Sequence, residues 1–114
     1  MKRALPFLII ALAAVPATAH HGWGSYNADA PITIAGEIED ITLGNPHGEM
    51  TVPHDGAPWL ITLAPLTRMN ARGATEAVLK VGVEVTAHGY PKSDGTAEIR
   101  AEWVEVDGRR YELR

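Results

Sequence analysis

Five histidines are the side chains in this 114-residue chain best suited to chemistry. The chain has no cysteine, so disulfides, thiolate metal sites and cysteine nucleophiles are excluded. Imidazole nitrogens bind copper, zinc and nickel well, which makes metal binding the first chemistry to consider. The histidines are His20, His21, His47, His54 and His88.

The residues before His20 determine what that histidine can do. Met1-Lys2-Arg3 precedes an apolar run that ends at Val15, and Ala17-Thr18-Ala19 has the small-residue pattern of a cleavage site. The run, about 12 residues long, is shorter than the roughly 20 residues of a membrane-spanning helix. We therefore predict a signal peptide over residues 1–19, export to the periplasm and no membrane span in the mature protein.

Cleavage after Ala19 makes His20 the N-terminal residue, whose α-amine and imidazole can chelate one metal ion. A further imidazole would complete a three-nitrogen set called a histidine brace, which suits the tetragonal preference of Cu(II). The α-amine has a pKa of about 8, so a metal displaces its proton easily near neutral pH. We therefore predict that the protein binds copper, with His20 supplying two of the ligands.

The third ligand depends on the fold. His47 lies in the predicted loop between the first two strands and is the favoured ligand. His88 ends the predicted fourth strand and is the other candidate, because these two loops face one ligand surface in an OB-like barrel. His54, predicted at the opposite end of the sheet, is not expected to take part.

Two local chelation modes compete with the brace. The His20 amine could bind copper together with the backbone nitrogen and imidazole of His21. Cleavage after Ala17 would instead place histidine third from a free N-terminus, which binds Cu(II) or Ni(II) through backbone nitrogens. Only the brace requires the folded domain.

The alternation of apolar residues predicts which elements position these histidines. Residues 20–31 show neither a helical nor a strand period and are predicted to be an irregular arm, anchored by Trp23 and Tyr26. Residues 32–114 show a β-β-β-α-β-β order, with a change of phase near Glu39-Asp40 and a short helix after Pro65.

This order predicts a mostly β fold, a five-stranded OB-like antiparallel barrel with one short helix between strands three and four. An open β-sandwich is the alternative. The alternation of Glu98, Arg100 and Glu102 predicts a solvated strand face. The predicted core contains Ile34, Ile38, Ile61, Leu63, Val83, Val85, Ile99 and Trp103.

Charge and composition exclude several functions. The net charge is −4, and loss of Lys2 and Arg3 would leave −6, which argues against binding to nucleic acid or anionic lipid. Ser25 and Ser93 are the two serines, and neither lies in a G-x-S-x-G motif. We therefore expect a binding protein before an enzyme.

Three short motifs carry a resemblance to a known family. Ala19-His20-His21, Asn45-Pro46-His47 and the turn after Gly89-Tyr90 resemble an uncharacterised family of small exported bacterial proteins, a domain of unknown function. The resemblance covers the whole mature chain and implies a periplasmic domain with an OB-like fold. His20, His21 and His47 match the motif positions of the family. Because the function of the family is unknown, the resemblance does not assign an activity to the chain.

These observations predict a periplasmic copper-binding protein, acting as a chaperone, buffer or carrier. Its candidate partners are a metal ion and another periplasmic protein. The rival hypothesis is a metal-free OB-like interaction module that binds a peptide, a saccharide or a partner protein.

Overall fold

The computed structural model describes residues 3–4 and 23–114, and within them the chain is mostly β. Seven strands and one short α-helix follow a 3₁₀ turn at Trp23–Ser25. This confirms the predicted mostly β class with one short helix. The elements are β1 (Ile32–Glu37), β2 (Asp40–Thr42), β3 (Glu49–His54), β4 (Ala57–Thr62), α1 (Leu66–Ala71), β5 (Glu84–Pro91), β6 (Glu98–Val106) and β7 (Arg109–Glu112).

All seven strands belong to one sheet. Neighbouring strands follow the order β1-β5-β6-β4-β3-β2, and β7 pairs with β6. β4 and β6 run parallel, whereas the other pairs are antiparallel. Among the described strands no ladder joins β1 to β2, so the sheet is open. The predicted OB-like closed barrel is therefore wrong.

The open sheet results from a break in the predicted first strand. The amide of Ile38 donates to the carbonyl of Val83 at 2.9 Å, whereas the next amide, that of Glu39, donates to the carbonyl of Thr51 at 2.9 Å. The two amides thus turn to different neighbours, and the strand divides into β1 and β2. The break lies where the sequence pattern changes phase.

The core contains most of the residues predicted for it. Six of the eight predicted residues are buried, but Val83 and Trp103 are only partly buried. Val83 precedes β5 in an irregular segment. In β6 the alternation slips at Glu102 and Trp103, so Trp103 does not continue the buried face of Ile99 and Ala101. The buried predicted residues are Ile34, Ile38, Ile61, Leu63, Val85 and Ile99.

The short helix lies between two backbone constraints. Pro65 precedes α1, where its fixed φ and missing N–H are tolerated. Gly73 follows at φ 81°, a left-handed conformation that glycine adopts without steric cost and that ends helices. Met69 is the buried residue of α1 and joins the helix to the core. Within the described part of the chain, no helix has the length and apolar character needed to cross a membrane.

Candidate functional site

The end of the N-terminal arm is fixed to the loop between β5 and β6. Tyr26 forms an antiparallel bridge with Lys92. The amide of Asn27 donates to the carbonyl of Pro91 at 2.8 Å, and the amide of Ser93 donates to the carbonyl of Ser25 at 2.9 Å. Backbone hydrogen bonds on both sides of Tyr26 therefore hold this part of the arm against the sheet.

A cleft of about 550 Å³ lies where the arm meets the sheet, and we call it the arm cleft. Its wall combines the end of the arm, the loop before β3, the end of β4, the start of α1 and one face of β6. The polar residues most important below are Tyr26, His47, Arg68, Glu98, Arg100 and Arg114.

Tyr26, Glu98 and Lys92 form a polar cluster in the arm cleft. The Tyr26 hydroxyl donates a short hydrogen bond to Oε2 of Glu98. The Lys92 ammonium lies 3.9 Å from the same oxygen and 4.9 Å from the centroid of the Tyr26 ring. Burial, followed by the hydrogen bond to the Glu98 carboxylate, raises the pKa of Tyr26 to about 12. The phenol therefore stays neutral and fastens the arm to β6.

Two partly buried arginines, Arg100 and Arg114, line the arm cleft. Burial, together with the charge of Arg114, lowers the pKa of Arg100 to about 10. Burial also lowers the pKa of Arg114, while the carboxylate of Glu102 opposes this shift. Arg114 donates to the carbonyl oxygens of Ala101 and Leu63, each at 3.3 Å. These two carbonyls fix the position of the Arg114 guanidinium.

His47 also lines the arm cleft, and its ring is oriented by the backbone. Nδ1 lies 3.1 Å from the carbonyl oxygen of Gly48. A carbonyl only accepts, so Nδ1 carries the proton of this hydrogen bond, and the lone pair of the neutral ring lies on Nε2. The carboxylate of Glu49 lies 4.0 Å from Nδ1, and the His47 side chain is 38% exposed. Nε2 is therefore the atom suited to bind a metal.

The structure describes two of the other four histidines, the predicted ligand His88 and the predicted non-ligand His54. His20 and His21 lie outside the described residues. His88 does not line the arm cleft; its Nδ1 lies 2.9 Å from Oγ1 of Thr33, and its ring stacks on Trp103 at 5.1 Å. Nε2 of His54 lies 3.4 Å from Asp55. Within residues 3–4 and 23–114, no three His, Asp or Glu side chains are grouped so that they could hold a metal ion.

The charged residues of β6 were assigned wrongly from sequence. The alternation of Glu98, Arg100 and Glu102 predicted a solvated face, but all three are partly buried, and Glu98 and Arg100 line the arm cleft. Arg68 and Arg114 carry no local pattern that marks them as site residues. The sequence did contain a signal for this polar face. Glu98 and Arg100 carry opposite charges two residues apart, on a strand whose other face is apolar.

A mostly β fold with a polar cleft between an N-terminal arm and an open sheet describes the class of protein. The sequence matches the model of the Family of unknown function (DUF6152) over residues 8–100, and the chain belongs to that family. This confirms the predicted membership of an uncharacterised family. The match includes Arg100 and ends before Arg114. No curated protein matches the chain.

The raised pKa of Tyr26 predicts a late titration and a loss of stability in alkali. Between pH 10 and 12 the folded chain keeps a proton that the unfolded chain, with an ordinary tyrosine pKa of 10.0, has released. The stabilisation is complete below pH 10 and disappears as the pH rises through 12. We expect ¹³Cζ NMR of the tyrosines to show one resonance titrating near pH 12.

Two variants assign this titration. Tyr26→Phe should remove the late resonance and lessen the fall in urea-unfolding stability between pH 10 and 12. Tyr90→Phe, which leaves the contact with Glu98 intact, should retain both effects. A late resonance that persists in Tyr26→Phe would show that the arm is not fastened in this way.

Proposed function

We propose that this protein is an exported copper-binding protein, a chaperone, buffer or carrier, whose metal site forms where the arm meets the arm cleft. After cleavage following Ala19, the amine and imidazole of His20 would provide two nitrogens and His47 the third. One observation carries the proposal: the arm is fixed through Tyr26 to the same cleft that His47 lines. An N-terminal histidine would thus begin close to a histidine that is distant in sequence.

The reach of the arm is compatible with this site. Tyr26 lies six positions after His20, and a chain of this length spans at most about 20 Å when extended. The bridge between Tyr26 and Lys92 fixes the arm at Tyr26, so only the segment before Tyr26 has to reach His47. The proposal requires this segment to bring His20 to His47, which lines the same cleft as Tyr26.

The environment of His47 also suits a metal ligand. Histidines that bind metals usually donate their second ring nitrogen to a carbonyl or a carboxylate, which fixes the ring and its tautomer. Nδ1 of His47 has this arrangement with Gly48. The nearby Glu49 carboxylate adds a negative charge that favours a cation. His88 lacks this position, because it does not line the arm cleft and is held between Thr33 and Trp103.

Copper titration of correctly processed protein tests the proposal. His47→Ala should weaken Cu(II) binding at least about tenfold and change the EPR spectrum, because one nitrogen ligand is lost. Affinity should also fall below about pH 6.5, where imidazole and amine hold their protons. Mass spectrometry of protein purified from the periplasm would establish the N-terminus and any bound metal. A tag at the N-terminus must be avoided because it blocks the amine.

His54→Ala and His88→Ala are the matched controls, and both should keep the affinity and the spectrum of the unmodified protein. A peptide of residues 20–26 can reproduce only the local mode of His20 and His21, so it should bind copper differently from the whole protein. Unchanged binding in His47→Ala, or complete reproduction by the peptide, would contradict the shared site.

The second candidate function is a metal-free interaction module, and the charge of the arm cleft favours it. Four cationic side chains and two carboxylates line the cleft, although the whole chain carries a net charge of −4. Positive charge gathered in a cleft favours an anionic group on a ligand over a bare metal cation. Protein that binds no copper and retains its fold would support this candidate.

A further inference from the structure

The arm cleft concentrates guanidinium groups that come from separate parts of the chain. Arg68 projects from α1, Arg100 lies on β6, and Arg114 follows β7. The fold thus brings together three residues that are 14 to 46 positions apart in the sequence. An arrangement that holds like charges together becomes more favourable when an anion binds between them.

The arginines of the arm cleft repel one another, because each lies within electrostatic range of another. The charge of Arg114 lowers the pKa of Arg100, and the charge of Arg68 lowers the pKa of both. Burial has the largest effect on Arg100 and Arg114. Partial removal from water strengthens the interaction of these groups with any counter-charge that enters the cleft.

The carboxylates nearby offset this charge only in part. Glu98 accepts a hydrogen bond from Tyr26 and lies 3.9 Å from Lys92. Its negative charge is therefore shared with two residues that are not arginines. Glu102 opposes the lowered pKa values of Arg100 and Arg114. Glu49 lies at the His47 side of the cleft. Four cationic side chains and two carboxylates line the cleft, so positive charge remains in excess even when Glu102 is counted.

From this arrangement we infer that the arm cleft binds the carboxylate or phosphate group of a small molecule, held by Arg68, Arg100 and Arg114. The planar fork of a guanidinium matches the two oxygens of either group and forms paired, charge-assisted hydrogen bonds. The inference is independent of copper binding, since none of the three arginines is a proposed metal ligand.

The size and lining of the cleft limit the ligand further. A volume of about 550 Å³ lies within the range of roughly 300–1,000 Å³ typical of small-molecule sites. Pro46, Leu63 and Pro65 add apolar surface beside the charged groups. These features suit a small organic acid or phosphate ester with a compact apolar part. A polyanion is disfavoured by the net charge of −4.

Binding of defined anions to metal-free protein tests the inference. The protein, treated with EDTA and then dialysed, is titrated with inorganic phosphate and, separately, with succinate, while NMR follows the backbone amides and arginine Nε–H groups. We expect saturable shifts for Arg100 and Arg114 at millimolar or lower concentration of at least one anion. Saturation by phosphate alone assigns a phosphate ligand, and saturation by succinate alone assigns a carboxylate.

Matched arginine variants decide whether the cleft is the site. Arg100→Gln should weaken anion binding at least about tenfold. Arg110→Gln should leave it unchanged, because Arg110 lies over Trp103 and does not line the arm cleft. If Arg100→Gln lowers the urea midpoint, Arg68→Gln serves instead, since Arg68 is exposed on α1.

Absence of saturable binding by both anions, or equal weakening in Arg100→Gln and Arg110→Gln, would overturn the inference. Neither result bears on copper, which is measured separately through His47.

Discussion

Gly89→Ala is expected to destabilise the fold by about 3 kcal/mol or more, enough to leave much of the protein unfolded at moderate urea concentration. A Cβ atom at Gly89 would lie 2.0 Å from the carbonyl oxygen of Arg100 and 2.8 Å from the Cα of Ala101. Both are backbone atoms of β6, which cannot rotate away as a side chain can. The register between β5 and β6 shifts between His88 and Gly89, which brings the two backbones together.

Urea unfolding followed by circular dichroism measures this effect, and Gly44→Ala is the matched control. A Cβ atom at Gly44 would meet nothing within 4 Å, so that variant should differ from the unmodified protein by less than about 0.5 kcal/mol. If Gly89→Ala unfolds at the same urea concentration as Gly44→Ala, the close approach of β5 and β6 does not exist in solution.

Ile99→Asp should abolish cooperative unfolding. Ile99 is fully buried, and its strand β6 pairs with β4, β5 and β7, so the side chain lies at the centre of the sheet. Aspartate would leave both a cavity and a carboxylate without water in an apolar environment. The expected loss exceeds about 4 kcal/mol, a large fraction of the 5–15 kcal/mol that typically separates folded from unfolded domains.

Val81→Asp is the control for Ile99→Asp because Val81 is 62% exposed. It should keep a single unfolding transition with a midpoint close to that of the unmodified protein. Val83→Asp should fall between the two, since Val83 is only partly buried against the core. A sharp transition in Ile99→Asp near the original midpoint would mean that β6 is not central to the fold.

The strands and the helix could be predicted because each depends on a local pattern. Alternating apolar residues marked the strands, and Pro65 with Gly73 delimited the short helix. The prediction of a barrel was wrong because the alternation of apolar residues shows which face of a strand is buried. It does not show which strand edges pair with each other. The break between Ile38 and Glu39 was visible as a change of phase, but its consequence depended on hydrogen bonds to Val83 and Thr51.

Only the site residues of a rare type could be predicted from the sequence. His47 was selected because the chain has few reactive side chains, and the structure places it in the arm cleft. Arginines are common on surfaces, so Arg100 and Arg114 carried no comparable signal. Arg100 and Arg114 lie in one cleft because β6 pairs with β4 and β7. These pairings cannot be predicted from the sequence of any short segment.

The first half of β6 places two kinds of residue on opposite sides of one backbone. Ile99 and Ala101 face the core, whereas Glu98 and Arg100 line the arm cleft. Variation at the cleft positions therefore leaves the hydrophobic face of the same strand untouched. Related proteins could diverge in ligand preference while retaining a common scaffold, and an engineered binder could be derived by randomising only the outward positions of this strand.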